Sequence, residues 1–515
     1  MNVKLDVHDP PGIEAARRIP WVDLLLLGLG AILVRLPGLV SRPLWYDEAF
    51  AVLFSQEGLP AMVYGTLTAQ GGVAADVHPL GYYTLLYLWG LLFGTSPLAV
   101  RSLSLLLGTA SVFVAYGLAA ELFDRHTARW AAAALVFAPF PVHYAQEVRM
   151  YALLSLLILG AAWFFVKGIH KPDRVGMWIG FGLCAAAAQY THNLAFLYLV
   201  PLSLVALFTR DRGIILRTLA AGAGAIVLYL PWLLQLPEQF ARLQWAYWIE
   251  KPGLVEILQL IIHFTSSLPA PEWALPVQLF VSLMLMVLAG LITIRAIQRE
   301  ARKRRQVGLM LWLSLAPPAL MLGISIWQPV FLLRALMPAA MFLTIWLAWC
   351  FRSRLVPVWV RRSAWVLLAL SYGLGLYGWF TYRGFPYAPF NTINAYLREH
   401  MQEGDIILHT NKLTALPARY VDPNLNHLYL ADEPGSASDT LAAATQEVLD
   451  FVALDDVNPL LSYRGDIWLV MFEREELEYL SMGLTEHPVR ETLEETYIIS
   501  EQATIGDVAI YHYEK

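Results

Sequence analysis

The feature that most restricts how this chain can fold is its succession of apolar runs. They fall near residues 21–40, 101–122, 128–142, 150–166, 175–191, 194–209, 216–234, 274–294, 307–326, 332–350 and 364–381. An α-helix rises about 1.5 Å per residue, so a hydrocarbon core of about 30 Å is crossed by roughly 20 apolar residues. Of the 515 residues, 57% are hydrophobic and 15% charged. A soluble chain carries nearer about 25% charged residues, so this is an integral membrane protein. Arg17 and Arg18 precede the first run as in a signal peptide. That run has no small-residue cleavage site, however, and is read as a retained span. The two cysteines, Cys184 and Cys350, lie inside apolar runs, which excludes a disulfide framework and a cysteine metal site.

A twelfth stretch, Pro79 to Phe93, has 15 residues and would reach only about 22 Å as a helix. Charge distribution decides how to treat it. With eleven spans and 79–93 lying along the interface, the basic clusters all fall on the side of the N-terminus. They are Arg17/Arg18, Arg125/Arg129, Lys167/Lys171/Arg174, Arg210/Arg212/Arg217, Arg295 to Arg305 and Arg352 to Arg362. With Lys4 they hold 21 of the 36 Lys and Arg, against eight on the other side before the C-terminal segment. A spanning 79–93 would turn the cluster Arg299 to Arg305 outward, against the positive-inside rule. The expected topology is therefore a multi-pass plasma-membrane protein with a cytoplasmic N-terminus.

From about Phe385 the apolar runs shorten to strand length, at 405–408, 427–430 and 467–472. Helix-like stretches lie near 391–401 and 441–452, and Gly506-Asp507 marks a hairpin turn. The expected organisation is a transmembrane domain over 1–384 and an extracytoplasmic soluble α/β domain over 385–515. The second contains no Gly-rich phosphate loop and no cluster of His or Cys, so recognition or packing over a site is expected of it.

On the outer side of this topology, directly after the first span, stands Ser41-Arg42-Pro43-Leu44-Trp45-Tyr46-Asp47-Glu48-Ala49-Phe50. Phe50, Leu53 and Phe54 recur at helical spacing, so the two acids open a short amphipathic helix. Ionisable groups beside hydrocarbon are costly and mark candidate functional sites. Adjacent helical residues point about 100° apart, so Asp47 and Glu48 address different partners. A plain helix cap at Asp47 is equally compatible with the residues alone. Arg101, at the mouth of the second span, suits either a phosphate or a lipid headgroup. The same two roles, interfacial anchor or phosphate ligand, stand for Arg334. His78 is either a polar site residue or a cap before Pro79. His192 is read as structural. Trp245, Tyr247 and Trp248, after Arg242, suit an aromatic belt as well as sugar stacking.

Four segments in order carry a resemblance: Arg35-Leu36-Pro37-Gly38-Leu39 through Phe50, His78-Pro79-Leu80-Gly81-Tyr82-Tyr83, Phe93-Gly94 to Arg101-Ser102-Leu103, and Tyr144-Ala145-Gln146-Glu147-Val148-Arg149-Met150-Tyr151. Together they resemble the GT-C membrane glycosyltransferases of the protein O-mannosyltransferase and aminoarabinose-transferase group, glycosyltransferase family 39-like. The resemblance covers about the first 200 residues. It implies a GT-C fold of about eleven spans, with two interfacial helices in the first external loop. It implies an inverting transfer of a sugar from a polyprenyl-phosphate donor to an acceptor hydroxyl of a glycan, lipid or protein. By the same resemblance Asp47 matches the catalytic base. Glu48 matches the second acid, for positioning or a divalent ion. Glu147 joins them as a catalytic or metal-binding acid, and Arg149 and Tyr151 belong to the second polar loop. His78, Arg101 and Arg334 complete the expected substrate-binding set. Arg334-Ala335 departs from the Arg-Tyr common in the family. No nucleotide leaves in such a reaction, so no nucleotide motif is needed. An inactive envelope-assembly subunit and a polytopic transporter are the rival readings. The spans are nearly free of acids, which disfavours a transporter.

Overall fold

The computed structural model describes residues 21–68, 78–243, 249, 251–299, 303–432 and 440–515, with no side chains described for 240–243. Each of the eleven apolar runs falls on helix. Seven helices are long and apolar enough to cross a membrane: Pro97–Leu122, Tyr151–His170, Arg212–Leu233, Glu272–Arg299, Arg304–Ile324, Leu333–Arg352 and Val358–Thr381. The other four runs fold as the shorter helices Trp21–Arg35, Arg125–Phe137, Val175–Thr191 and Phe196–Thr209. The centre is Met337–Arg352, in which every residue from Met337 to Phe351 is buried. A helix apolar on all sides belongs inside a bundle. Peripheral helices instead leave apolar side chains exposed, as with Ile226, Val227 and Leu228 on Arg212–Leu233, the surface expected to meet lipid.

Between the first two runs lie three short helices, Tyr46–Gln56, Gly58–Leu67 and Gly81–Phe93. Gly58 takes φ +82° and breaks the first from the second. Phe50 and Phe54, one turn apart, stack at 5.2 Å, and Tyr83 meets Phe54 edge-on at 5.6 Å. This aromatic seam locks Gly81–Phe93 against Tyr46–Gln56. A side chain at Gly81 would sit 2.5 Å from the Tyr190 carbonyl oxygen, so only glycine allows this approach. At 13 residues the Gly81–Phe93 helix is not among the seven long ones.

The C-terminal segment folds around a five-stranded sheet: β1 (Ile406–His409), β2 (His427–Tyr429), β3 (Ile467–Phe472), β4 (Ile498–Ile505) and β5 (Val508–Glu514). Its order is β2-β1-β3-β5-β4, with β1 parallel to both neighbours and β5 antiparallel to both of its own. Ile467, Leu469 and Met471 enter one core, and Trp468, Val470 and Phe472 the other. Burial on both faces explains why β3 reads as an unbroken apolar run. Gly506 makes the β4–β5 turn at φ +71°. The helix expected over 441–452 extends only from Ala443 to Val448, and Asp450 turns the chain away at φ +46°. Helices at Lys412–Val421, Glu473–Ser481 and Pro488–Glu494 were not anticipated.

This segment seats on the short helices. Thr445 Oγ1 donates to the Gly65 carbonyl at 2.9 Å, and Tyr64 donates to Glu447 at 2.7 Å. Tyr420 donates to the Thr95 carbonyl at 2.7 Å, and Lys412 Nζ lies 5.5 Å from the Tyr46 ring. The segment thus braces the helix that carries Asp47.

Candidate active site

Glu48 and Arg101 form the frame. Arg101 Nε and Nη2 donate to the two Glu48 oxygens at 2.8 and 2.6 Å. Its other N–H groups donate to the carbonyls of Leu39, Arg42 and Pro43 at 3.0, 2.7 and 3.0 Å. These contacts occupy all five donors of the guanidinium. The Val148 N–H adds a bond to Glu48 Oε1 at 2.9 Å. Both side chains are buried. The expectation that Arg101 binds substrate is therefore corrected, because it has no donor left for a phosphate. Glu48, expected as a catalytic acid or metal ligand, is likewise committed to Arg101 and the 148 amide. The pair ties the loop before Tyr46 to helix Pro97–Leu122 and to the loop of Glu147 and Arg149.

Asp47, beside it, faces the other way. The N-cap of its helix is Trp45, without a side-chain cap bond, so Asp47 is not the cap. Arg334 Nη1 approaches Asp47 Oδ2 at 3.0 Å, and Arg149 Nη2 lies 3.5 Å from the same oxygen. Arg149 Nη1 also donates to the Asp47 carbonyl at 3.3 Å. Burial pushes the Asp47 carboxyl upward, but Arg149 and Arg334 outweigh it and hold the group below the usual carboxylate range. Asp47 is thus an anion held between two cations. Tyr151 lies with its ring 5.6 Å from the Arg334 guanidinium. His78 and His192 pack at 5.3 Å, and the His192 ring lies 6.0 Å from that of Tyr151. Burial, then the two arginines, lower His78 to about 3, so it is neutral at physiological pH. It is not the cap of Gly81–Phe93 either, whose N-cap is Leu80 without a side-chain bond.

Arg334 leads to a cavity of about 220 Å³, lined also by Trp45, Tyr144, Trp379, Phe385 and Tyr387. Glu147 and His143 line it too. His143 Nε2 lies 3.0 Å from Glu147 Oε1, and Tyr387 donates to the same oxygen. Burial raises the Glu147 carboxyl, but His143 and Tyr387 overcome this and keep it below its ordinary value. Arg42 lies on the Trp379 ring at 3.4 Å and donates to the Trp379 carbonyl. Gln146 fixes the same tryptophan by accepting from its Nε1 at 2.5 Å.

Asp47, Glu147, Arg149, Tyr151 and Arg334 therefore gather in one place, with His78 at its edge. Arg42, His143, Trp379 and Tyr387 were missed. His143 stands four residues before Glu147, the one spacing that offered a clue. Tyr387 comes from the segment read as a separate domain and gave no signal. Trp245, Tyr247 and Trp248 lie outside the described residues, as does the Arg242 side chain. The donors do not suit the divalent ion expected on Glu48 and Glu147. Glu48 is engaged by Arg101 and the 148 amide, and Glu147 Oε1 accepts from two partners, so the two acids offer one oxygen between them without a partner, Glu147 Oε2. Among the described residues, the one group of three with ligand atoms close enough for an ion is Asp405, Asp466 and His512, in the sheet domain.

The family model described as dolichyl-phosphate-mannose-protein mannosyltransferase matches residues 77–234. No curated protein matches the chain by sequence. Among solved structures, ArnT from Cupriavidus metallidurans in the apo state superposes with a TM-score of 0.62 at 15% identity, over 96% of this chain and 97% of that one. The same protein bound to undecaprenyl phosphate gives 0.60 at 15% identity, over 96% and 98%. The Archaeoglobus fulgidus oligosaccharyltransferase in complex with Zn and sulfate gives 0.55 at 12% identity, over 95% and 72%. At these identities the superpositions establish the fold. The family match and the fold bear out the resemblance read from the sequence, to a GT-C glycosyltransferase of the protein O-mannosyltransferase and aminoarabinose-transferase group.

Proposed function

We propose that this protein transfers a sugar, with inversion, from a polyprenyl-phosphate donor to an acceptor hydroxyl at the outer face of the membrane. The observation that carries this reading is the Asp47 carboxylate held between Arg149 and Arg334 beside an aromatic cavity. The donor phosphate binds at the two guanidiniums. As phosphate oxygens replace Oδ2 as their partner, Asp47 loses counter-charge and becomes more basic. It then takes the proton of the acceptor hydroxyl. The hydroxyl oxygen bonds to the anomeric carbon from the face opposite the phosphate. The bond from that carbon to the phosphate oxygen breaks, and the electron pair leaves on the phosphate, where the arginines stabilise it. One displacement with one base inverts the anomeric centre. Glu48 and Arg101 position the base and touch no substrate.

Replacing Arg149 or Arg334 by alanine removes a charged hydrogen bond to the phosphate. A bond of that kind is worth about 1.5–3 kcal/mol, so donor affinity should fall about 10- to 100-fold for each. Titration of purified protein with polyprenyl phosphate checks this. Unchanged affinity in both variants would contradict the assignment.

The outward placement has its own test. With Cys184 and Cys350 replaced, cysteines at the exposed positions Gln56 and Glu403 should react with an impermeant thiol reagent in intact cells, and one at the exposed Arg305 should not. Protection at Glu403 with reaction at Arg305 would invert the topology.

A further inference from the structure

The far end of the helix bundle carries a second cavity that the transfer reaction does not use. It measures about 80 Å³ and is lined by Glu121, Lys167, Lys171, Arg174 and Met177. Helix Tyr151–His170 begins at the active site and ends here, 20 residues on, or about 30 Å away. Three cations face one acid, and that acid is engaged: Glu121 Oε1 lies 2.7 Å from His170 Nδ1. Other cations at this end meet acids directly, Arg129 approaching Asp23 at 2.6 Å and Arg217 approaching Asp173 at 2.8 Å. The side chains of Lys171 and Arg174 form no hydrogen bond or ion pair among the described residues. Helix Val175–Thr191 opens from the cavity without a side-chain cap, so the positive end of its dipole adds to the same field. The turn that carries the two cations is pinned. Trp178 Nε1 donates to the Pro172 carbonyl at 2.9 Å, and its ring packs on Gly168, where a Cβ would sit 3.0 Å from it.

We infer that this cavity binds the phosphate of an anionic phospholipid of the surrounding membrane. An apolar stripe leaving the cavity along the next helix selects a lipid over a free anion. Val175, Ile179 and Leu183 stand one turn apart on one face, each more than half exposed. A phosphate held by Lys171 and Arg174 at the start of that helix places an acyl chain against the stripe. At about 80 Å³ the cavity suits a headgroup phosphate and is far below the ~300–1,000 Å³ of sites that enclose a whole ligand. Each Lys or Arg beside a bilayer strengthens the hold on anionic lipid by a factor of about five. The bound lipid ties the ends of Pro97–Leu122 and Tyr151–His170 to the start of Val175–Thr191. The site is independent of the sugar donor and of Arg149 and Arg334.

The test titrates the purified full chain in neutral detergent and counts bound lipid by native mass spectrometry. The probes are palmitoyl-oleoyl phosphatidylglycerol, the phosphatidylcholine with the same chains, and inorganic phosphate. The wild type should bind one phosphatidylglycerol about 25-fold more tightly than phosphatidylcholine, a factor of about five for each of the two unpaired cations. Lys171→Gln combined with Arg174→Gln should bring the two lipids to within about twofold of each other, since both of those factors are gone. Thermal unfolding without added lipid should be unchanged in this variant, which shows that it is folded. Lys171→Arg combined with Arg174→Lys keeps both charges and should keep the preference. Equal binding of the two lipids by the wild type overturns the inference, as does an undiminished preference in the double Gln variant. A preference lost as completely in the charge-keeping pair also overturns it, because the charges would then not be what binds. Inorganic phosphate bound as tightly as phosphatidylglycerol would make this a free-anion site and overturn the lipid assignment.

Discussion

Asp47→Asn should reduce sugar transfer by about 10²- to 10⁴-fold, the usual worth of a general base. The amide keeps the size of the side chain and still accepts a hydrogen bond from Arg334. Helix Tyr46–Gln56 does not rely on Asp47 as its cap, so the fold should survive. Donor binding should persist or tighten. With the carboxylate gone, Arg149 and Arg334 keep their charge and lose the anion that now neutralises part of it. That combination, lost turnover with retained or improved phosphate affinity, separates a base from a binding residue. Asp47→Glu should also fail by about 10²-fold, because one added methylene moves the oxygen by about 1 Å. The pH dependence follows from the depressed Asp47 carboxyl. Lowered below its unfolded value, it stays ionised through the ordinary carboxylate range. Its contribution to stability is present above the unfolded value and is lost only as pH falls through the folded one.

The second large effect concerns stability. Glu48→Gln leaves the Arg101 guanidinium buried opposite a neutral amide, and breaking a buried pair from one side costs about 3–5 kcal/mol. Arg101→Lys should be nearly as damaging. An ammonium cannot reproduce two bonds to the carboxylate and three to carbonyls. Thermal unfolding in detergent should show both variants strongly destabilised, and whatever remains folded should bind polyprenyl phosphate normally. A Glu48→Gln protein as stable as the wild type but inactive would restore Glu48 to the chemistry.

What was legible in the sequence depended on locality. The apolar runs, the helix at Asp47-Glu48 and the strand-length segments are short-range patterns, and each appears where it was read. Asp47 and Arg149 belong to motifs, and the fold brings their side chains within 3.5 Å of each other. Arg334, followed by Ala335, comes from a distant part of the chain and meets Asp47 at 3.0 Å. The aromatic rings beside its guanidinium are those of Tyr151 and Trp45, both distant in sequence. Arg101 was placed correctly but given the wrong task. Nothing local reveals that three loop carbonyls and a carboxylate 53 residues away consume its donors. Tyr387 and Trp379 were missed for the same reason. They meet Glu147 and Gln146 across more than 200 positions, with no periodicity or motif to announce them.

The central claim is that Asp47, flanked by Arg149 and Arg334, deprotonates an acceptor for transfer from a lipid-phosphate sugar. The most direct measurement is release of polyprenyl phosphate from a polyprenyl-phosphate sugar by purified wild type and Asp47→Asn, with donor affinity measured on the same preparations. The account predicts release by the wild type, a loss of at least about 10²-fold in the variant, and donor affinity that is equal or higher. Release by Asp47→Asn at the wild-type rate, with donor affinity unchanged, would contradict it and move the base to another acid of the site.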